Sequence, residues 1–327
     1  MNSPSVLITG GYGCIGSETA KWLIRHTAAR VIVCSREVSE SRTQRVFHDV
    51  DLSRLKFLAA DVRQQKQLEE ILRTDVVTHV AHLAALQTPD CNAQRDLGLQ
   101  INLAGTQNLI EAIKSCGHPV QRFVYASSIA VYGPRAVYPP GLVPMLVEPQ
   151  PVNVYGVWKL AGEHIARIFH QDTRVPIVCL RPGVLFGPGR DAGLTSSPTT
   201  AMKHVALGLP YEVPFRTRQD YLYAPDVGAA FGHALIDTFD GYGIYTLPSQ
   251  TVDTYQFVSE IHSAAEELQI QSPCQITVGD QEVPFISELE FAPFCQRFPG
   301  VPHTPLHQAV KASIVTFLDQ RARGWLR

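Results

Sequence analysis

Val6-Leu7-Ile8-Thr9-Gly10-Gly11-Tyr12-Gly13-Cys14-Ile15-Gly16 decides how the chain is read. An apolar strand-like run, Val6–Thr9, leads into glycines spaced Gly10-x-x-Gly13-x-x-Gly16, and a helical pattern, Ile15–His26, follows at once. Glycine permits a tight turn and close backbone approach, and a helix start presents unpaired N–H groups. Strand, glycine turn and helix N-terminus in that order make a cradle for a dinucleotide pyrophosphate. The bare spacing is a weak signal, and its structural context gives it weight.

Working outward, the same rhythm repeats over the first 180 residues. Val31–Cys34, Lys56–Ala59, Val76–His82, Arg122–Ala126 and Ile177–Arg181 are short apolar runs, as buried parallel strands should be. Helical patterns separate them: Gln64–Arg73, a long one from Leu97 to Cys116 ended by Gly117 and Pro119, and another from Tyr155 to His170. This alternation predicts an α/β fold, a Rossmann-type doubly wound parallel sheet over residues 1–184. Residues 185–327 lose the rhythm and predict a smaller, irregular C-terminal substrate lobe, with elements at about 221–247 returning to the main domain. A helical C-terminus is expected at His307–Arg321. Tyr138–Pro151 holds five prolines in fourteen residues and reads as a loop, a connector or a border of the substrate pocket.

Two further stretches carry chemistry. The second strand ends Cys34-Ser35-Arg36. An NAD site wants a carboxylate there for the ribose 2′-hydroxyl, whereas Ser35 with Arg36 suits a 2′-phosphate, which favours NADP over NAD. The bland alternative makes Arg36 a solvated surface residue. Tyr155 and Lys159 lie at i and i+4 on a predicted helix, so both can address one site. A phenol with pKa about 10 is a poor base near neutrality. A lysine roughly 4 Å away, at an effective dielectric of about 20, interacts with the phenolate by about 4 kcal/mol before desolvation. Asp61, just after the third strand, either accepts a hydrogen bond from the adenine amino group or caps a helix starting near Val62, or does both.

Composition narrows the partners. Hydrophobic residues make up 45% of the 327, charged residues 18%, and the net charge is -2. No basic cluster suits nucleic acid or an anionic membrane, and no apolar stretch approaches the ~18 residues that span a bilayer. Val6-Leu7-Ile8 leaves little room for a leader, so a cytoplasmic enzyme is expected. The seven scattered cysteines have no C-x-x-C and read as free buried thiols. The histidines show no metal-ligand spacing, so no metal is expected.

Taken in order, Gly10-x-x-Gly13-x-x-Gly16, Asp61-Val62, His82-Leu83-Ala84-Ala85, Asn102-Leu103-Ala104-Gly105-Thr106, Ser127-Ser128-Ile129-Ala130-Val131-Tyr132-Gly133, Tyr155-x-x-x-Lys159, Arg181-Pro182-Gly183 and Asp220-Tyr221 through Val227 carry a resemblance. The chain resembles the extended short-chain dehydrogenase/reductases, the superfamily of sugar-nucleotide epimerases and dehydratases, over nearly all of residues 5–230. That resemblance implies Tyr155 as acid/base, Lys159 lowering its pKa and holding the nicotinamide ribose, and Ser128 binding the reacting oxygen. It implies cofactor contacts at Gly10, Gly13, Cys14, Ile15, Gly16, Ser35, Arg36, Asp61, Val62, Leu83, Ala84, Ala85 and Pro182. Substrate contacts would come from Gln87, Ser128, Val184 and Arg218. Asn102 resembles a structural asparagine, and a homodimer through the two long helices is the common assembly.

Departures narrow the chemistry. Ile129-Ala130 stand where dehydratases carry Asp-Glu, so no acid is placed to eject water. Val184 replaces an epimerase asparagine, Gln219 an arginine, and Arg297 is the nearest candidate for a second diphosphate arginine. A diphosphate without bidentate arginines is poorly held. The first expectation is therefore an NAD(P)-dependent oxidoreductase interconverting a secondary alcohol and a ketone on a small polar, sugar-derived substrate. A sugar or sugar-nucleotide 4-epimerase with transient oxidation is the alternative, and a non-catalytic cofactor-binding sensor the third.

Overall fold

The structure is a computed structural model that describes residues 3–270 and 275–326. The first part runs β1 (Ser5–Thr9), α1 (Cys14–His26), β2 (Arg30–Ser35), α2 (Glu40–Phe47), β3 (Leu55–Ala59), α3 (Gln65–Thr74) and β4 (His79–His82). Two short helices, α4 (Thr88–Ala93) and α5 (Arg95–Gly98), pass through a π-helical turn at Leu99–Ala104 into α6 (Gly105–Ser115). β5 (Arg122–Ala126), α7 (Val154–Thr173), β6 (Ile177–Arg181) and β7 (Val184–Phe186) follow. The remainder comprises α8 (Ser197–Leu207), β8 (Tyr211–Arg216), β9 (Arg218–Tyr223), α9 (Ala224–Ile236), β10 (Tyr242–Thr246), β11 (Gln250–Asp253), α10 (Thr254–Glu267), β12 (Ile276–Glu282), α11 (Ala292–Arg297) and α12 (Leu306–Ala322).

Seven parallel strands form the main sheet in the order β10-β6-β5-β4-β1-β2-β3. The order reverses between β1 and β4, and the crevice at such a switch point, beyond the carboxyl ends of the strands, is where open α/β sheets bind ligands. One face buries Val6, Ile8, Val31 and Val33 against α1 and α9; the other buries Leu7, Ile32, Val80 and Phe123 against α3, α6 and α7. A second core, with Phe186, Phe215, Phe257 and Phe317, lies in the C-terminal lobe around the β11-β9-β7 and β12-β8 sheets. Within that half of the chain, α9 packs on α1 and β10 closes an edge of the main sheet.

Some expected elements change. The run Leu97–Cys116 is not one regular helix: the π turn turns Asn102 inward, where its side chain bonds the N–H and C=O of Leu86 at 2.8 and 2.9 Å. The strand expected at Val76–His82 begins only at His79, because Val76 sits at φ +46° in the turn leaving α3. The proline-rich segment 138–151 forms one bridge, Val143 to Leu289, and packs with Tyr132 and Ile286. It supports the cleft from behind and is a connector, not a lining. Of the seven cysteines, Cys274 lies outside the described residues; Cys34, Cys91, Cys116 and Cys179 are buried free thiols, whereas Cys14 and Cys295 are half-buried.

Candidate active site

A cavity of about 860 Å³ runs along the carboxyl edge of the main sheet, from β2 and β3 past β1 to β5 and β6. At its centre β1 gives way to the glycine turn. Gly10 has φ +69°, and a Cβ there would lie 2.8 Å from the backbone N of Ala84, so only glycine lets the two loops meet. Gly13 is the N-cap of α1 and offers no side-chain cap. The first-turn N–H groups at Cys14, Ile15 and Gly16, all cavity-lining residues, are therefore free for an anion.

The Leu83-Ala84-Ala85 loop opposite is pinned from below. Thr9 Oγ1 accepts from the N–H groups of Leu83 and Ala84 at 3.2 and 3.3 Å, and lies 2.7 Å from His82 Nδ1. His82 Nε2 lies 3.0 Å from Thr106 Oγ1. Burial and the Lys159 charge hold His82 down to about 3, so the imidazole is neutral and structural.

Towards β2 and β3 the cavity is lined by Tyr12, Ser35, Arg36, Arg42, Asp61 and Val62. The Arg42 guanidinium lies 5.0 Å over the Tyr12 ring. Asp61 accepts from the Arg63 side chain at 2.6 and 3.0 Å, and this bond chiefly holds its carboxyl below the usual range. It is not a helix N-cap, because α3 starts at Gln65 and Gln64 takes that position.

Ser128, Tyr155 and Lys159 meet at the other end. Ser128 leaves β5 in extended conformation, its Oγ accepting from Ala130 N at 3.1 Å. Asn153 caps α7 by accepting from Gly156 N at 2.9 Å, which sets Tyr155 in the first turn. Burial pushes the Tyr155 phenol up, opposed by its hydrogen bond with Ser128 and by the Arg190 charge. Arg190 is thus a second cation whose charge reaches the phenol, and the sequence reading passed over it. Lys159 donates to the carbonyl of Ala126 at 2.6 Å and sits 5.7 Å from the Tyr155 ring centre. Burial brings its pKa down to about 8.

Behind this end lies a buried polar frame. Arg181 pairs with Glu163 at 2.6 and 2.7 Å and donates to Tyr132 Oη at 2.7 Å, while Glu163 also accepts from Ser127 Oγ. Pro182, Val184 and Gln87 line the cavity. Arg218 and Arg297 do not. Arg218 is half exposed and pairs with Glu288, because β9 turns it outward; Arg297 stacks on Phe239 and Phe298. Cys91 bonds Leu86 O and Asn102, and burial raises its thiol pKa, so it stays protonated. Arg190, Thr195, Phe285 and Ile286 line the cavity and were missed. The signal for Arg190 was there: an arginine in a Gly-Pro-Gly-Arg loop just past a strand end. Phe285 and Ile286 carried none, since they arrive from far along the chain. Among the described residues no three His, Cys, Asp or Glu side chains converge on a metal geometry, and no helix is long and apolar enough to cross a membrane.

A Rossmann cradle joined to a Ser–Tyr–Lys end defines a class of nicotinamide-dependent proteins. The sequence pattern of the NAD dependent epimerase/dehydratase family matches residues 6–246, and the chain belongs to that family. It is 28% identical over 192 residues to D-erythronate dehydrogenase of Cupriavidus necator, covering 55% of this chain and 56% of that protein. It is 28% identical over 228 residues to dTDP-L-rhamnose 4-epimerase of Burkholderia thailandensis, covering 61% and 62%. The aligned parts thus span only 56% and 62% of these two relatives. The Thermus thermophilus UDP-glucose 4-epimerase complex with NAD superposes with a TM-score of 0.79 at 25% identity, over 96% of this chain and 98% of that one.

Proposed function

We propose that the protein is a nicotinamide-dependent oxidoreductase interconverting a secondary alcohol and a ketone on a small polar, sugar-derived substrate. The observation that carries this reading is the convergence of Ser128, Tyr155 and Lys159 at one end of a cavity whose middle is an uncapped helix N-terminus. A nicotinamide dinucleotide fits the residues present: free N–H groups meet a pyrophosphate, and Gly10 keeps the floor clear of side chains. When bound, that cofactor supplies the hydride acceptor or donor. Tyr155 takes the hydroxyl proton or returns it, Ser128 donates a hydrogen bond to the reacting oxygen, and Lys159 places positive charge beside the phenolate as it forms.

Arg36 and Arg42 at the β2 end support NADP; the solved 4-epimerase relative carries NAD. A 4-epimerase, oxidising transiently and returning the hydride to the other face, uses the same three residues. The epimerase relatives favour it, and the placement of Arg218 and Arg297 outside the cavity weighs against a diphosphate substrate. Ile129 and Ala130, both lining the cavity, give a dehydration no acid. A homodimer is proposed through α7 and the π turn, where Val157, Ile168 and Leu99 are exposed, the first two eleven residues apart on one helix face.

The deciding experiment follows the absorbance of reduced nicotinamide during turnover. Net reduction or oxidation is expected, abolished by Tyr155→Phe with cofactor binding retained. Product formed with no net change would make the protein an epimerase, and full activity in Tyr155→Phe would remove the mechanism.

A further inference from the structure

Arg190 is a cation without a counter-ion inside the catalytic cavity. Its Nη1 donates to Gln87 Oε1 at 2.9 Å and its Nη2 to Thr195 Oγ1 at 2.8 Å, both neutral side chains that line the cavity. Its Nε is buried and has no partner. No carboxylate lies within ion-pair distance among the described residues; the neighbouring Asp191 is paired with Lys203 instead. Burial holds Arg190 below the ordinary arginine range, and the Tyr155 phenol feels its charge.

A guanidinium has five donors, of which two are used here, leaving Nε–H and one hydrogen on each terminal nitrogen. Two neutral partners orient the fork without neutralising it, an arrangement that suits a planar anion taking two parallel hydrogen bonds. The other cations do not compete for this role. Arg36 and Arg42 lie at the opposite end of the cavity, and Lys159 is bonded to Ala126.

We infer that Arg190 is a specificity-determining residue that binds a carboxylate on the substrate, so that the substrate is a sugar acid, not a neutral sugar. The inference rests on the oxidoreductase reading for where the alcohol lies, since Tyr155 and Arg190 face the same space. A carboxylate carries one negative charge and matches the one unneutralised charge of Arg190. A phosphate monoester carries about 1.5 to 2 and leaves excess negative charge buried. The rival role is contact with the cofactor pyrophosphate, because the Arg190 charge also reaches Cys14 at the start of α1.

Binding distinguishes these without turnover. Short aldonates, alditols of equal chain length and sugar phosphates are titrated calorimetrically into the cofactor-loaded Tyr155→Phe variant. Aldonates are expected to bind at least about tenfold more tightly than alditols, the span of a charge-assisted hydrogen bond. Adding Arg190→Met should erase that advantage and Arg190→Lys restore part of it, while cofactor affinity stays within about twofold, showing the fold intact. Equal affinity for acid and alditol, no binding of either, or an advantage that survives Arg190→Met overturns the inference. So does tighter binding of the sugar phosphate, or a tenfold loss of cofactor affinity with the acid preference unchanged. Arg190-dependent acid binding without Tyr155-dependent turnover in the native protein would instead defeat the oxidoreductase reading alone.

Discussion

Gly156 packs against the carbonyl oxygen of Ala130 so closely that a Cβ on Gly156 would lie 2.1 Å from it. That contact seats the first turn of α7 on the segment that carries Ser128, and so sets the distance between Ser128 and Tyr155. Gly156→Ala must push the two apart. A displacement near 1 Å costs roughly 10²-fold in rate, and overpacking costs about 1–3 kcal/mol of stability. Turnover should therefore fall about a hundredfold while cofactor affinity, set by α1, holds. Unchanged kcat would show that the seat does not govern the catalytic geometry.

Lys159 links activity to stability with opposite signs. Its folded pKa, about 8, lies below its ordinary 10.5 because burial disfavours the ammonium. Between those two pH values the unfolded chain binds more protons than the folded one, so this group's contribution to stability rises with pH there. Below about pH 8 the full penalty, about 3 kcal/mol by that difference, is present. Lys159→Met removes it and leaves the Ala126 carbonyl unpartnered, which costs about 1–3 kcal/mol. The variant should be no less stable than wild type near neutrality and nearly inactive. Wild type should gain on it as pH rises from 8 to 10.5. Denaturant melts at both ends of that window test this; a constant difference would refute it.

Glu163 and Arg181 are both buried and answer each other's charge. Removing one partner leaves the other uncompensated, so Glu163→Ala should destabilise by about 3–5 kcal/mol. Glu163→Gln, which still accepts from Arg181 and Ser127, should cost less. A shift in the denaturant midpoint with constant slope measures both.

Arg36→Ala and Arg42→Ala address the choice of dinucleotide. Each should weaken NADP binding by about tenfold or more, the worth of one charge-assisted bond to phosphate, and leave NAD within about twofold. Equal affinity of the native protein for the two cofactors would remove the NADP preference.

The parts legible in the sequence were those encoded by short spacings. The glycine turn, the Tyr155–Lys159 pair and the alternation that builds the sheet each fall within one or two adjacent elements. Asp61 was harder, because its carboxylate turns back onto the Arg63 backbone and side chain while the helix begins only at Gln65. The π turn hides in a sequence that reads as continuous helix until Asn102 finds the Leu86 backbone. Arg218 and Arg297 were named by analogy, and strand phase and local stacking aim them away from the cavity. Phe285 and Ile286 reach the cavity only through the fold of the second lobe, which no local pattern specifies.

The return of α9 and β10 to the first sheet bears on how the molecule is made. Val227, Phe231 and Leu235 of α9 cover the sheet face beneath α1, and Gly232 lets the Trp22 ring lie against the helix backbone. A nascent chain emerging in order thus exposes the apolar sheet and helix surfaces until Thr246 has emerged. Its N-terminal half waits, sticky and unfinished, for a helix that the ribosome has yet to make.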